Sequence, residues 1–156
     1  MAEPAIGKVE DALKAALAAW PALSAHTVIA GQSLDIAITE DEFPAIQIYT
    51  VAYQVDVADE NWMSLHTATI ELECVDGLQA IGTISRANQT TIAHIMACLA
   101  ADRTLGGRLQ DLQEIDVAPA SPNGKDVSSA SLQMRVQFYT SRADWFTIHG
   151  HNGQTF

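Results

Sequence analysis

The groups in this chain that could do chemistry are five histidines and several pairs of carboxylates. His149 and His151 would offer two imidazoles to a metal if their segment were extended, but no third ligand follows at a zinc-like spacing. The pair is therefore read as part of a mobile, glycine-rich tail. Glu71 and Glu73 lie two apart, and paired carboxylates can divide acid and base roles when a pocket raises one pKa. Their strand alternates, which places both on an open face instead. His94 falls between helical core positions and reads as a boundary residue, whereas His26 and His66 each begin a strand with no partner legible nearby. The chain holds no G-x-S-x-G, H-E-x-x-H, P-loop or G-x-G-x-x-G. The residues thus predict no catalytic group, no cofactor and no metal. Cys74 and Cys98 fall in a strand and a helix pattern without a CxxC, as reduced core thiols would.

The elements that hold these groups follow from periodicity. Ile6, Val9, Leu13, Leu17 and Trp20 recur at steps of three and four, with alanines between them, Pro4 at the start and Pro21 at the stop. This is a first amphipathic helix. A short strand is expected over His26–Ala30, closed by Gly31. In the long strand 45–57 the apolar residues fall on even positions at Ile46 and Ile48, then on odd ones from Val51 to Val57. A change of phase requires an extra residue, so a β-bulge is predicted near Tyr49-Thr50. A cleaner strand over 67–75 turns Ala68, Ile70, Leu72 and Cys74 one way and Thr67, Thr69, Glu71 and Glu73 the other. A second helix is expected from about Gln79 to Ala101, its apolar stripe interrupted by Asn88 and its first turn weakened at Gly82 by up to about 1 kcal/mol. Leu112, Ile115 and Val117 then suggest a strand broken by Pro119 and Pro122, and Asn123-Gly124 signals a hairpin turn. The last strand alternates from Ala130 to Phe138. Strands grouped around two amphipathic helices predict an α+β two-layer sandwich with a mainly antiparallel sheet.

A chain of 156 residues, 48% hydrophobic and 17% charged, suits one globular domain with its own core. No run approaches the roughly 18 apolar residues of a membrane span, and the acidic start lacks the basic n-region of an export signal. Nineteen acids against eight bases give a net charge of −11, which repels nucleic acid in general. A protein that grips duplex DNA by its phosphates needs the reverse balance.

Between the second helix and the strand after it lies Asp102-Arg103-Thr104-Leu105-Gly106-Gly107. The two glycines permit positive φ for a sharp reversal, Leu105 can fold back as an apolar plug, and Asp102 or Thr104 can cap free backbone donors. A helix closing on D-x-T-L-G-G, together with the first helix, the two long strands and a final strand ending Phe138-Tyr139-Thr140, resembles the tail-terminator family of long-tailed phages. The likeness spans roughly residues 5 to 142.

The resemblance implies a structural virion protein rather than an enzyme. Family members form hexameric rings that cap the tail tube, stop its polymerisation and offer a surface to the head-side connector. Genome DNA would cross the ring without specific binding, and carboxylates lining the lumen would keep phosphates from sticking. Glu71 and Glu73 are lumen candidates on this reading, as are the acids of the 40–42 and 56–60 loops. The implied location is the virion tail or neck, assembled in the host bacterial cytoplasm, with no membrane association. Other neck, tail-completion or gene-transfer-agent ring proteins reuse similar small folds. An alternative of a different class is a small acidic cytoplasmic enzyme or ligand-binding domain, which has no need of six copies.

Residues 143–156 lie beyond what the resemblance needs and show no period. Trp145, Phe146, Ile148 and Phe156 would be a large apolar surface if exposed, so the tail is expected to bind a neighbouring subunit, the tube or the connector. The competing expectation is packing back onto its own sheet. On the partner reading, deleting 143–156 leaves the fold intact.

Overall fold

In a computed structural model of the chain, the structure describes residues 2–31, 42–58, 62–77, 84–122 and 127–156. Helix α1 spans Ala5–Ala19 and begins after Pro4, whose φ of −65° already suits a helix start. It buries Ala5, Val9, Leu13 and Leu17, leaving Ile6 and Trp20 at the margin of the core. A short 3-10 turn at Pro21–Leu23 leads to strand β1, Thr27–Ala30. Strands β2 (Ala45–Val57) and β3 (Met63–Gly77) follow, then helix α2, described from Ile84 to Ala101. Strands β4 (Asp111–Pro122), β5 (Val127–Ser141) and β6 (Asp144–His149) complete the sheet.

Among the described residues the fold is mixed α and β, with two α-helices and an antiparallel-rich sheet. Strand order is β1-β2-β3-β5-β4, with β6 added to the end of β5; the β1–β2 pair is parallel and the other described pairs are antiparallel. The even-numbered residues Ala68, Ile70, Leu72 and Cys74 of β3 and Ala130, Leu132, Met134, Val136 and Phe138 of β5 form one buried cluster with the apolar stripes of both helices. The alternation expected for both strands is therefore the pattern that closes the core.

The change of phase in β2 is a bulge at Val51, one residue past the expected place: Thr50 pairs with Ile70 and Ala52 with Thr69. The extra residue brings Tyr53, Val55 and Val57 opposite Ala68, His66 and Ser64. The odd positions after the bulge thus share the face that the even ones occupy before it.

Three expectations are corrected. Strand β3 begins at Met63 rather than Thr67, which draws His66 into the buried face. Strand β4 is not broken at Pro119 but runs to Pro122, with an irregular register between Ala118 and Ser121. Among the described residues it pairs with β5 alone, and an edge strand tolerates prolines whose missing N–H would face away from the ladder. The tail beyond Thr140 is not an unstructured appendage, because β6 pairs with β5 and Ile148 is fully buried in the common core. Asn88 interrupts the apolar stripe of α2 because it is a buried polar link, its amide donating to Ser128 Oγ at 2.9 Å. Gln79–Thr83, with Gly82, the Asn123-Gly124 turn, and the acids Glu40, Asp41, Asp59 and Glu60 lie outside the described residues.

Candidate functional site

The turn after α2 is held by one carboxylate. Asp102 accepts the Thr104 amide at 3.0 Å, the Thr104 hydroxyl at 2.7 Å and the Gly106 amide at 2.7 Å. Thr104 Oγ1 in turn accepts the Gly107 amide at 3.0 Å. These bonds, the Thr104 hydroxyl first, hold the Asp102 carboxyl below the usual carboxylate range. Leu105, Gly106 and Gly107 all have positive φ, at 48°, 72° and 91°. A leucine there is strained and persists because its side chain is 5% exposed, plugged into the core. Arg103 then ties the turn to β4, bonding Leu112 O at 2.9 Å and the Glu114 carboxylate at 3.1 Å.

The tail packs against this turn. Gly107 O accepts the His151 amide at 2.9 Å, and His151 Nε2 lies 2.8 Å from Leu109 O. Arg108 stacks its guanidinium 4.3 Å from the Phe156 ring centre. Ile148 and Phe156 exchange two backbone bonds at 3.1 and 3.0 Å. Lys8 Nζ donates to Phe146 O and Phe156 O, so α1 also clamps the segment. Of the four tail residues expected to meet a partner, Ile148 is buried and Phe156 half-buried within the same chain; Trp145 and Phe146 remain about half exposed. His149 stacks edge-on with Trp62 at 5.7 Å. The two tail histidines thus serve packing and backbone bonding, and no group of three metal-ligating side chains occurs among the described residues.

On the sheet face opposite the helices, Glu71 and Glu73 converge on one phenol. Tyr49 Oη donates to Glu71 at 3.0 Å and lies 3.4 Å from Glu73, while the Gln133 amide reaches the second Glu71 oxygen at 2.9 Å. Burial, followed by the two carboxylates, raises the Tyr49 phenol well above its ordinary value, so it remains a neutral donor. Thr67 and Gln137 continue the stripe, bonded to each other at 3.1 Å. The arrangement is a hydrogen-bonded polar surface rather than an acid/base pair in a pocket.

A third cluster was not legible as such. His66 is fully buried, stacked on Phe138 at 4.8 Å, with Trp145 edge-on at 5.0 Å. The expectation that nothing pairs with it is overturned: Nε2 lies 2.7 Å from Thr140 Oγ1, and Nδ1 meets the Tyr53 hydroxyl. Thr140 gives its own proton to Ser141 O at 3.0 Å, which makes His66 Nε2 the donor and Nδ1 the acceptor from Tyr53. Burial lowers the His66 pKa and pushes the Tyr53 phenol up to about 12, so the relay is neutral. His26 also has a partner, Thr91 Oγ1 of α2 at 3.1 Å. The signal for His66 was its even position, in phase with Ala68 and Ile70. Cys74 and Cys98 are both free and buried, and burial pushes the Cys74 thiol up to about 12, which makes it inert.

A shallow cavity of about 250 Å³ lies between α1 and the turn, lined by Ala12, Ala16, Cys98, Asp102 and Arg108. Small-molecule sites run from about 300 Å³ upward and are largely enclosed, so this hollow is small for a substrate. No protein-family model and no curated protein matches the chain.

Proposed function

We propose that this chain is a structural ring subunit of a phage tail: a hexameric tail terminator that caps the tube, ends its polymerisation and forms the tail side of the head–tail joint. The observation that carries the reading is the turn at Asp102–Gly107. The resemblance rests on this motif, and here it is a rigid device with three successive left-handed residues under one carboxylate. Such a turn aims β4 and receives the C-terminal segment, which is work done for architecture rather than for catalysis.

Two further features support it. We read the arrangement as an α+β two-layer sandwich, helices on one face of the sheet and a polar face on the other. That polar face carries Glu71 and Glu73 beside Tyr49, Gln133 and Thr67. A surface of fixed acids and neutral amides suits a lumen that DNA crosses without adhering. Large apolar side chains also remain exposed at Val57, Trp62, Trp145 and Phe146, as surfaces awaiting neighbours do. The partners on this reading are five further copies, the tube protein and the head-side connector, in the virion tail.

Electron microscopy of the protein mixed with polymerising tube protein tests the reading. Six-fold rings at tube ends, with tubes of one fixed length, are expected. Tubes that grow on unaltered, with bare ends, would refute it.

A further inference from the structure

Among the described residues, the outer edge of β2 is covered for only part of its length. Strand β1 pairs with Ala45–Ile48, and Gly31 N–H reaches Ile48 O at 3.3 Å. Just beyond, Glu10 of α1 closes the edge at Thr50, accepting its hydroxyl at 2.6 Å and its backbone amide. From Val51 to Val57 no strand lies on that side among the described residues. Ala58 N–H bonds Met63 O, so alternation turns the amides of Ala52, Gln54 and Asp56 toward β3 and those of Tyr53, Val55 and Val57 outward. The same stretch exposes Val51 at 43%, Tyr53 at 40% and Val57 at 58%. A long apolar edge with free backbone groups is a template for another strand.

The edge at β4, unpaired on its outer side among the described residues, shows what protection looks like in this fold. Strand β4 carries a bulge at Ile115, Asp111 and Asp116, and two prolines. The open part of β2 has no proline and one charge, Asp56, whose carboxylate accepts the amide of its own Gln54 at 3.3 and 3.1 Å.

We propose that the Val51–Val57 edge pairs antiparallel with the same edge of a second copy of this chain, about a two-fold axis at Gln54. The segment is self-complementary in that register. Tyr53 opposes the partner copy's Val55, and their outward N–H and C=O groups form the central hydrogen bonds; Val51 opposes Val57 on the same face. Asp56 opposes Ala52, which keeps the two carboxylates apart across the axis. A chain of net charge −11 carries an overall repulsion between its copies, and an edge with one acid per strand keeps that repulsion low at the contact. The pairing does not rest on the ring reading, since it needs only the sheet edge.

Sedimentation of the full chain over a range of salt tests this, with three variants. The parent should be a dimer that tightens as ionic strength rises. Val55→Pro removes an outward amide and no bond to β3, so it should fold and weaken dimerisation about tenfold or more. Gln54→Cys places two thiols opposite each other about 4.5 Å apart at Cα and should form a disulfide dimer under mild oxidation. Asp56→Cys places them about 13 Å apart along the strands and should not. The two native cysteines are buried and do not interfere. A parent monomeric at every salt concentration, a dimer indifferent to Val55→Pro, or equal cross-linking of both cysteine variants would overturn the pairing. Rings without Gln54→Cys cross-links would overturn it and leave the ring reading standing. A cross-linked dimer that never caps a tube would do the opposite.

Discussion

The Asp102 carboxylate accepts the Gly106 amide at 2.7 Å, across a turn in which Leu105 between them is left-handed at φ 48°. The acid satisfies the donors that a reversed backbone leaves free, and the buried leucine holds the strain in place. Asp102→Ala removes three bonds and should lower stability by about 1–2 kcal/mol. The folded pKa of Asp102 is depressed, so its contribution is complete above the unfolded value of about 3.9 and is lost as pH falls below it. Chemical denaturation from pH 6 to pH 3 should show a shallower loss in the variant than in the parent.

Gly107→Val tests the same turn from its far side. The site has φ +91°, and a Cβ would lie 2.8 Å from Gln154 Oε1, so both strain and displacement of the tail are expected. A loss above roughly 1 kcal/mol in thermal or denaturant unfolding is the expected outcome. Gly150→Ala should be worse, because its Cβ would meet Gly107 O at 2.3 Å and that atom is backbone.

Ile148 decides what the tail is for. Its side chain is fully buried, so Ile148→Ala should cost about 2–5 kcal/mol, whereas Phe146→Ala, at a half-exposed site, should cost little. Deleting 143–156 should therefore unfold or severely weaken the domain, contrary to the expectation from sequence. Circular dichroism melts of the three variants check this ranking.

The Tyr53–His66–Thr140 relay predicts a second pH dependence. Burial lowers the folded pKa of His66, and of His26, while the unfolded chain titrates near 6.5. The unfolded state then binds more protons below that pH, so stability falls as pH drops from about 6.5 toward the folded values. His66→Phe keeps a ring against Phe138 and should flatten the slope between about pH 6.5 and 5. An unchanged slope would assign it to His26.

Much of this architecture was legible because its signals are local. Helix α1 and strands β3 and β5 announce themselves by period, and the phase change in β2 located the bulge to within one residue, at Val51. The turn chemistry at Asp102 and Thr104 was also local, within five residues. What escaped depends on contacts distant in sequence. The C-terminal segment has no period because its residues answer to three neighbours at once, Phe146 to α1 through Lys8, Ile148 to β5 through Thr140 and His151 to the turn through Gly107. His66 looked solitary because its partners Tyr53 and Thr140 arrive from two other strands. Among the described residues the edge of β2 beyond Ile48 is uncovered because β1 spans four residues, a property of the pairing rather than of the edge itself.

Electron microscopy of tube ends tests the proposed ring most directly. Tube protein polymerised with this chain should end in six-fold rings, and Glu71→Lys with Glu73→Lys should leave the rings intact while DNA binds to their lumen. Tubes with bare ends at every salt concentration would contradict it.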